Sequence, residues 1–109
     1  MTKPRRAWVY ILASRKNGTL YVGVTTDLLT RVWQHRTGVC EGFTKEHRVT
    51  ALVYSEEFHD VRKAIAREKA LKGWSRRRKI VLIEAGNPDW DDLAAAWFER
   101  PLDPSLCSG

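Results

Sequence analysis

A single α+β domain is the fold class this 109-residue sequence predicts, on three observations. Two runs rich in aromatic and β-branched residues, Ala7–Ala13 and Leu20–Val24, flank Ser14-Arg15-Lys16-Asn17-Gly18-Thr19, which is a β-hairpin signal. A further run with strand character, Thr50–Phe58, lies beyond a helical stretch. The rest divides into short helical segments, each preceded by a residue able to cap it. No repeat, low-complexity tract or linker subdivides the chain, so one domain is expected over 1–100 with a loose tail over 101–109.

With Asn17 and Gly18 at the hairpin tip, Leu12 is expected opposite Gly23 and Ser14 opposite Tyr21. Tyr10, Leu12, Tyr21 and Gly23 then share one face, and the missing side chain of Gly23 leaves room above the sheet. Thr26 or Asp27 can cap a helix from Leu28 to Thr37, ended by Gly38. Its stripe is Leu28, Arg31 and His35, with Val32 and Trp33 as apolar packing beside it. Phe43–Arg48 is expected to form a short turn of helix. Asp60 caps a helix from Val61 to Lys72 whose stripe runs Val61, Ala64, Ile65 and then Glu68. Ser75 caps Arg76–Ala85, which stops at Gly86-Asn87-Pro88, and Asp89 caps a last helix, Trp90–Glu99.

The composition, 43% apolar and 29% charged, is that of a globular chain. The longest apolar runs, Ala7–Ala13 and Ile80–Ile83, fall far short of the roughly 18 residues of a membrane span, and no signal-peptide core follows the basic start. A soluble, cytoplasmic chain with no membrane partner is expected. Cys40 and Cys107 make neither a zinc site nor a disulfide framework and read as reduced thiols. Net charge is +6, unevenly placed: residues 1–80 hold 18 of the 19 Lys and Arg against 7 acids, while 81–109 hold one Arg against 6 acids. A basic body suits a polyanionic partner, because clustered cations release counterions from phosphates; plain solvated surface is the alternative.

Glu68 breaks the pattern of its helix. An ionised carboxylate on a covered face costs several kcal/mol unless a cation, a metal or a proton neutralises it. A salt bridge or a wetter helix orientation would also account for it. Trp74-Ser75-Arg76-Arg77-Arg78-Lys79 sets four cations beside an indole, which fits phosphate contact and base stacking as well as it fits a solvated helical face.

Taken together, Trp8-Val9-Tyr10, then Tyr21-Val22-Gly23 with eleven residues from tyrosine to tyrosine, then Arg31 ten residues on, His35 four beyond, and a helical Glu68 resemble the GIY-YIG nuclease superfamily. The likeness runs over about residues 7–90 and is nearest to the short stand-alone bacterial members; Val32-Trp33-Gln34-His35-Arg36 and Gly42-Phe43-Thr44-Lys45 look typical of them. Two departures stand out: Trp8 replaces the glycine of the first motif, and Val24 follows Gly23 where some repair members carry lysine.

The resemblance implies a small three-stranded antiparallel sheet flanked by helices. It also implies metal-dependent endonuclease action on phosphodiester bonds in DNA, in repair or processing, with one Mg²⁺ or Mn²⁺. Carried over by position, Tyr21 resembles the general base or water-orienting phenol with Tyr10 alongside, Arg31 the cation on the scissile phosphate, His35 a site occupied by His or Tyr, and Glu68 the metal ligand. Arg31, Arg36, Lys45, Arg76, Arg77, Arg78 and Lys79 are the expected nucleic-acid contacts. The residue types suit the chemistry. Negative charge grows on phosphate oxygens in the transition state, where a planar guanidinium fork and a hard cation gain strength. One carboxylate suffices for such a cation when substrate and water complete its shell. A phenol ionises near pH 10, and one unit charge at about 4 Å supplies roughly 4 kcal/mol toward its ionisation at an effective dielectric of 20. The alternatives are that His35 relays a proton or caps its helix, and that either tyrosine is simply core. A non-catalytic nucleic-acid-binding module, acting on DNA or RNA, and a protein-interaction adaptor are the competing functions.

Overall fold

A computed structural model of the chain describes residues 6–37 and 48–97. The elements are β1 (Ala7–Ala13), β2 (Leu20–Thr25), α1 (Leu28–Thr37), β3 (Ala51–Phe58), α2 (Val61–Gly73) and α3 (Arg76–Gly86), followed by a 3-10 turn, Ala95–Trp97. The three strands form one antiparallel sheet in the order β2-β1-β3. β1 is central and both of its faces are covered, which is why it reads as an unbroken apolar run.

Alternation along β1 deals its side chains to two cores. Ala7, Val9, Ile11 and Ala13 join Val22, Val53, Ala64, Leu71 and Ile83 beneath α2 and α3. Tyr10 and Leu12 join Leu28 and Val32 of α1, together with Val49, Leu52 and Ala94. The sheet therefore lies between an α2/α3 layer and a layer made by α1 and the chain after α3.

The hairpin register differs from the expected one. Tyr10 faces Gly23, and Leu12 faces Tyr21. The tip is the four residues Arg15–Gly18: Gly18 N–H donates to Arg15 O at 2.8 Å, Ser14 N–H donates to Thr19 O at 3.0 Å, and Asn17 adopts φ 60°. The slip is two residues, so side-chain parity survives, and Tyr10, Leu12 and Tyr21 still share a face.

Local capping places the helices. Asp27, rather than Thr26, serves α1, accepting from Thr30 N–H at 3.2 Å. Asp60 accepts from Arg62 N–H, and Ser75 accepts from Arg78 N–H. Between Ile11 and Leu12 the β1–β3 register shifts, leaving Val53 as a bulge with Val53 and Tyr54 both turned toward the α2/α3 core.

The expected helix Trp90–Glu99 does not form over its described residues. Trp90 sits at φ 57°, where the chain turns instead of starting a helix. Asp92 Oδ1 accepts from Leu52 N–H at 3.1 Å, and Leu93 N–H donates to Leu52 O at 2.7 Å. Docking onto β3 wins over helical propensity, and helical geometry is confined to Ala95–Trp97. Two packing expectations also fail: Trp33, at 42% exposure, and Ile65 face outward rather than joining the core. Cys40, Lys45, His47, Cys107, the tail and the expected Phe43–Arg48 turn up to residue 47 lie outside the described residues. Among those described, no helix is long and apolar enough to cross a membrane.

Candidate active site

Four of the expected residues converge where α1 crosses the β1–β2 hairpin. Tyr10 comes from the central strand, Tyr21 from β2, and Arg31 and His35 from successive turns of α1. The space above Gly23 is filled from within: a Cβ there would stand 2.5 Å from both Cζ and the hydroxyl of Tyr10, so glycine is what lets that ring lie across β2. Tyr10 is 2% exposed and His35 5%. A hydrogen bond of 3.1 Å joins the Tyr10 hydroxyl and His35 Nε2.

Tyr21 completes a three-ring cluster. Its centroid is 6.3 Å from Tyr10 and 5.4 Å from His35, with rings inclined by 42° and 57°, a separation typical of tilted aromatic pairs. Burial, and then the neighbouring Arg31 charge, hold the His35 pKa below the usual imidazole value near 6.5. His35 is thus neutral at pH 7, while Tyr21 and Arg31, both half-buried, retain access to solvent.

Glu68 belongs to the other layer. It lies between the buried Ala64 and Leu71 of α2, so the covered position read from the sequence is correct, with its side chain 14% exposed. Its neutralising charge is Lys72 Nζ, 2.9 Å from Oε2. α2 packs mainly on β1 and β2, from the face opposite α1. The structure therefore brings Tyr10, Tyr21, Arg31 and His35 together and carries Glu68 on a helix of the opposite layer.

The basic residues have divided roles. Arg36 pairs with Asp92, tying α1 to the segment after α3. Arg76 Nη2 donates to the carbonyls of Asn17 and Gly18 at 2.6 Å each. Arg78 lies 3.8 Å above the Trp74 ring and Arg67 lies 5.2 Å from it, so the indole already carries two guanidinium neighbours. Arg77 is exposed and Lys79 half-buried. Asn87, read in the sequence as part of the stop to α3, and Asp92 are residues that sequence reasoning left outside the candidate site. Asn87, 6% exposed, donates through Nδ2 to Val53 O at 3.2 Å and to Asp91 O at 2.9 Å, and accepts from Asp91 N–H at 3.0 Å. A polar residue between a helix and a proline was the available signal for it.

Comparison with known proteins agrees with this geometry. Residues 6–80 match the model of the GIY-YIG catalytic domain. The chain is 37% identical over 79 residues to the UPF0213 protein SSP2268 of Staphylococcus saprophyticus, a match spanning 72% of this chain and 95% of that one. It is 38% identical over 77 residues to the UPF0213 protein SH2523 of Staphylococcus haemolyticus, spanning 71% and 93%. Among solved structures, the solution NMR structure of the UPF0213 protein BH0048 from Bacillus halodurans superposes with a TM-score of 0.52 at 29% identity, covering 83% of this chain and 95% of that chain. Two motif tyrosines on adjacent strands, an Arg and a His on the following helix, and a family model matched across sheet and helices lead to one conclusion: the chain belongs to the GIY-YIG family of nuclease-type catalytic domains.

Proposed function

We propose that this chain is a divalent-metal-dependent endonuclease that hydrolyses phosphodiester bonds in DNA, selecting its target by structure rather than by sequence. One observation carries the reading: the Tyr21 phenol rests against a neutral, buried imidazole with the Arg31 guanidinium beside it. In this reading Arg31 engages the scissile phosphate, and its charge grows in value as the transition state loads negative charge onto the phosphate oxygens. Tyr21 orients the attacking water through its phenol oxygen. His35, uncharged, keeps the Tyr10 hydroxyl at its Nε2, and Tyr10 in turn backs the Tyr21 ring.

GIY-YIG nucleases generally use a divalent metal, and Glu68 is the residue that would hold Mg²⁺ or Mn²⁺ here. Its donor chemistry fits: a largely covered carboxylate, already neutralised by a cation that an ion would replace. Among the described residues no group of three or more His, Cys, Asp or Glu side chains forms a cage, so the shell would need water and substrate oxygens. When bound, such an ion polarises the phosphoryl group and stabilises the leaving oxygen.

The second reading, a nucleic-acid-binding module without catalysis, is favoured by the Glu68–Lys72 pair and its place on a helix of the other layer. Incubating the full chain with duplex, nicked, branched and single-stranded DNA and with RNA, in Mg²⁺, Mn²⁺ or EDTA, decides between them. Metal-dependent cutting that Glu68→Ala abolishes while binding is retained is the expected result. Cutting that survives Glu68→Ala refutes the ligand assignment, and binding without cutting under every condition establishes the second reading.

A further inference from the structure

The β1–β2 turn and the start of α3 line an open polar cleft of about 390 Å³, formed by Ser14, Arg15, Asn17, Gly18, Thr19 and Arg76 and by none of the three-ring cluster. Two guanidinium side chains belong to its wall and no carboxylate does. Arg76 is fixed in place by its Nη2 bonds to the carbonyls of Asn17 and Gly18, and among the described residues its Nε and Nη1 donors have no protein acceptor. The stem of Arg15 crosses the same glycine: a Cβ on Gly18 would meet Arg15 Cγ at 2.8 Å and Ser14 Oγ at 2.3 Å. The Arg15 stem and the Arg76 guanidinium therefore both lie against the Gly18 turn, which has no room for a Cβ.

Like charges gathered on one wall repel unless a counter-charge arrives. The wall adds an amide and a hydroxyl, from Asn17 and Thr19, of the kind that bind phosphate oxygens. The volume lies within the range of ligand sites and accommodates a phosphate with its neighbouring sugar. Lys16 and Arg77, next in sequence to the two lining arginines, are exposed cations, and such a run of charge favours a polymer over a single small anion. Only Leu20 separates Thr19 from Tyr21, two steps or about 7 Å of extended backbone.

We propose that this cleft is a phosphate anchor, binding a backbone phosphodiester of nucleic acid that flanks the position presented to Tyr21 and Arg31. The anchor rests on the nuclease reading for the identity of the polymer. Arg15 and Arg76 supply the charge, and Arg76 is held at the turn by its bonds to the Asn17 and Gly18 carbonyls.

The test is fluorescence anisotropy of a short labelled DNA duplex with the full chain in EDTA, across a series of KCl concentrations. Arg15→Glu is the principal variant, because among the described residues its side chain holds no bond of the fold. It should weaken binding about tenfold and lower the slope of log affinity against log salt by about 0.9 for each phosphate no longer neutralised. Lys63→Glu, the same charge change on the exposed start of α2, should weaken binding much less. Arg76→Gln should behave like Arg15→Glu, and if it fails to fold the Arg15 variant stands alone. Amide signals of Asn17, Gly18 and Thr19 should move on adding duplex, and inorganic phosphate at the same concentration should leave them in place. The anchor is overturned if Arg15→Glu binds as the wild type does, if Lys63→Glu weakens binding as much, if inorganic phosphate moves the same amides at that concentration, or if the wild type binds no DNA. Wild-type protein that binds through Arg15 yet never cuts overturns the nuclease reading alone. Protein that cuts in a Glu68-dependent way but binds equally well with Arg15→Glu overturns the anchor alone.

Discussion

Replacing Gly23 by alanine tests the site while leaving every catalytic candidate's side chain chemically unchanged. The new Cβ would stand 2.5 Å from Cζ and from the hydroxyl of Tyr10, whereas carbon atoms in contact settle at about 3.5–4.0 Å. The ring must retreat by about 1 Å. It has little room, since Tyr10 is buried among Leu12, Val32 and Leu52 and its hydroxyl is bonded to His35 Nε2. Overpacking of this kind costs about 1–3 kcal/mol, and loss of the hydrogen bond adds about 1 kcal/mol. At about 4 °C per kcal/mol for a chain of this size, Tm should fall by roughly 8–16 °C. Gly86→Ala is the internal control, with nothing within 4 Å of its added Cβ at the end of α3. There the helical preference for alanine should raise stability by up to about 1 kcal/mol. Thermal denaturation followed by circular dichroism reads both variants, and nuclear magnetic resonance of the Tyr10 and His35 rings reports the displacement. Equal Tm values for Gly23→Ala and wild type, with unshifted ring signals, would refute the placement of Tyr10 across β2.

Three further outcomes follow from the same interactions. Because the folded His35 pKa lies below the usual 6.5, the native state takes up that proton later than the unfolded chain as pH falls; its stability is whole above about pH 6.5 and drains away through the lower folded value. The Tm difference between wild type and His35→Gln should therefore shrink on acidification, and a difference constant from pH 8 to pH 4 would count against the buried neutral imidazole. Tyr54, desolvated and donating to Glu56 Oε2 at 2.6 Å, has its pKa pushed up to about 12, so its ionisation in an ultraviolet titration should lag, and its share of stability should be lost as pH rises from 10 through 12. Asn87→Ala, which strands Val53 O and Asp91 N–H, should cost about 2–4 kcal/mol in chemical denaturation, and a change below about 0.5 kcal/mol would show that water replaces the amide.

The parts of the fold legible in the sequence were those decided by near neighbours. Asp60 and Ser75 cap α2 and α3 through bonds to amides two and three residues ahead, and such contacts can be read locally. The face shared by Tyr10, Leu12 and Tyr21 was legible because a two-residue slip preserves alternation. The slip itself was not legible: Asn17-Gly18 suggests a two-residue tip, but the turn is four residues wide and is clamped by Arg76, 59 residues beyond Asn17. The segment after Trp90 failed for the same kind of reason, since Asp92 and Leu93 bond to Leu52, forty and forty-one residues away. At the site, the spacing of Tyr10, Tyr21, Arg31 and His35 carried over into contact, and the covered position of Glu68 was correct. The layer to which α2 would carry Glu68 depends on how helices are shared between two faces, which periodicity does not encode.

The bulge at Val53 has a consequence for how these molecules behave in a crowd. An outermost strand with bare amides and carbonyls invites a neighbouring molecule to zip on, the first step toward fibrils. Here the downstream loop has already taken those valences, with Asn87 on Val53 O, Asp92 on Leu52 N–H and Leu93 on Leu52 O. At Leu52 and Val53 that rim is sealed by the protein's own chain, so intermolecular growth over this stretch must first peel the loop away.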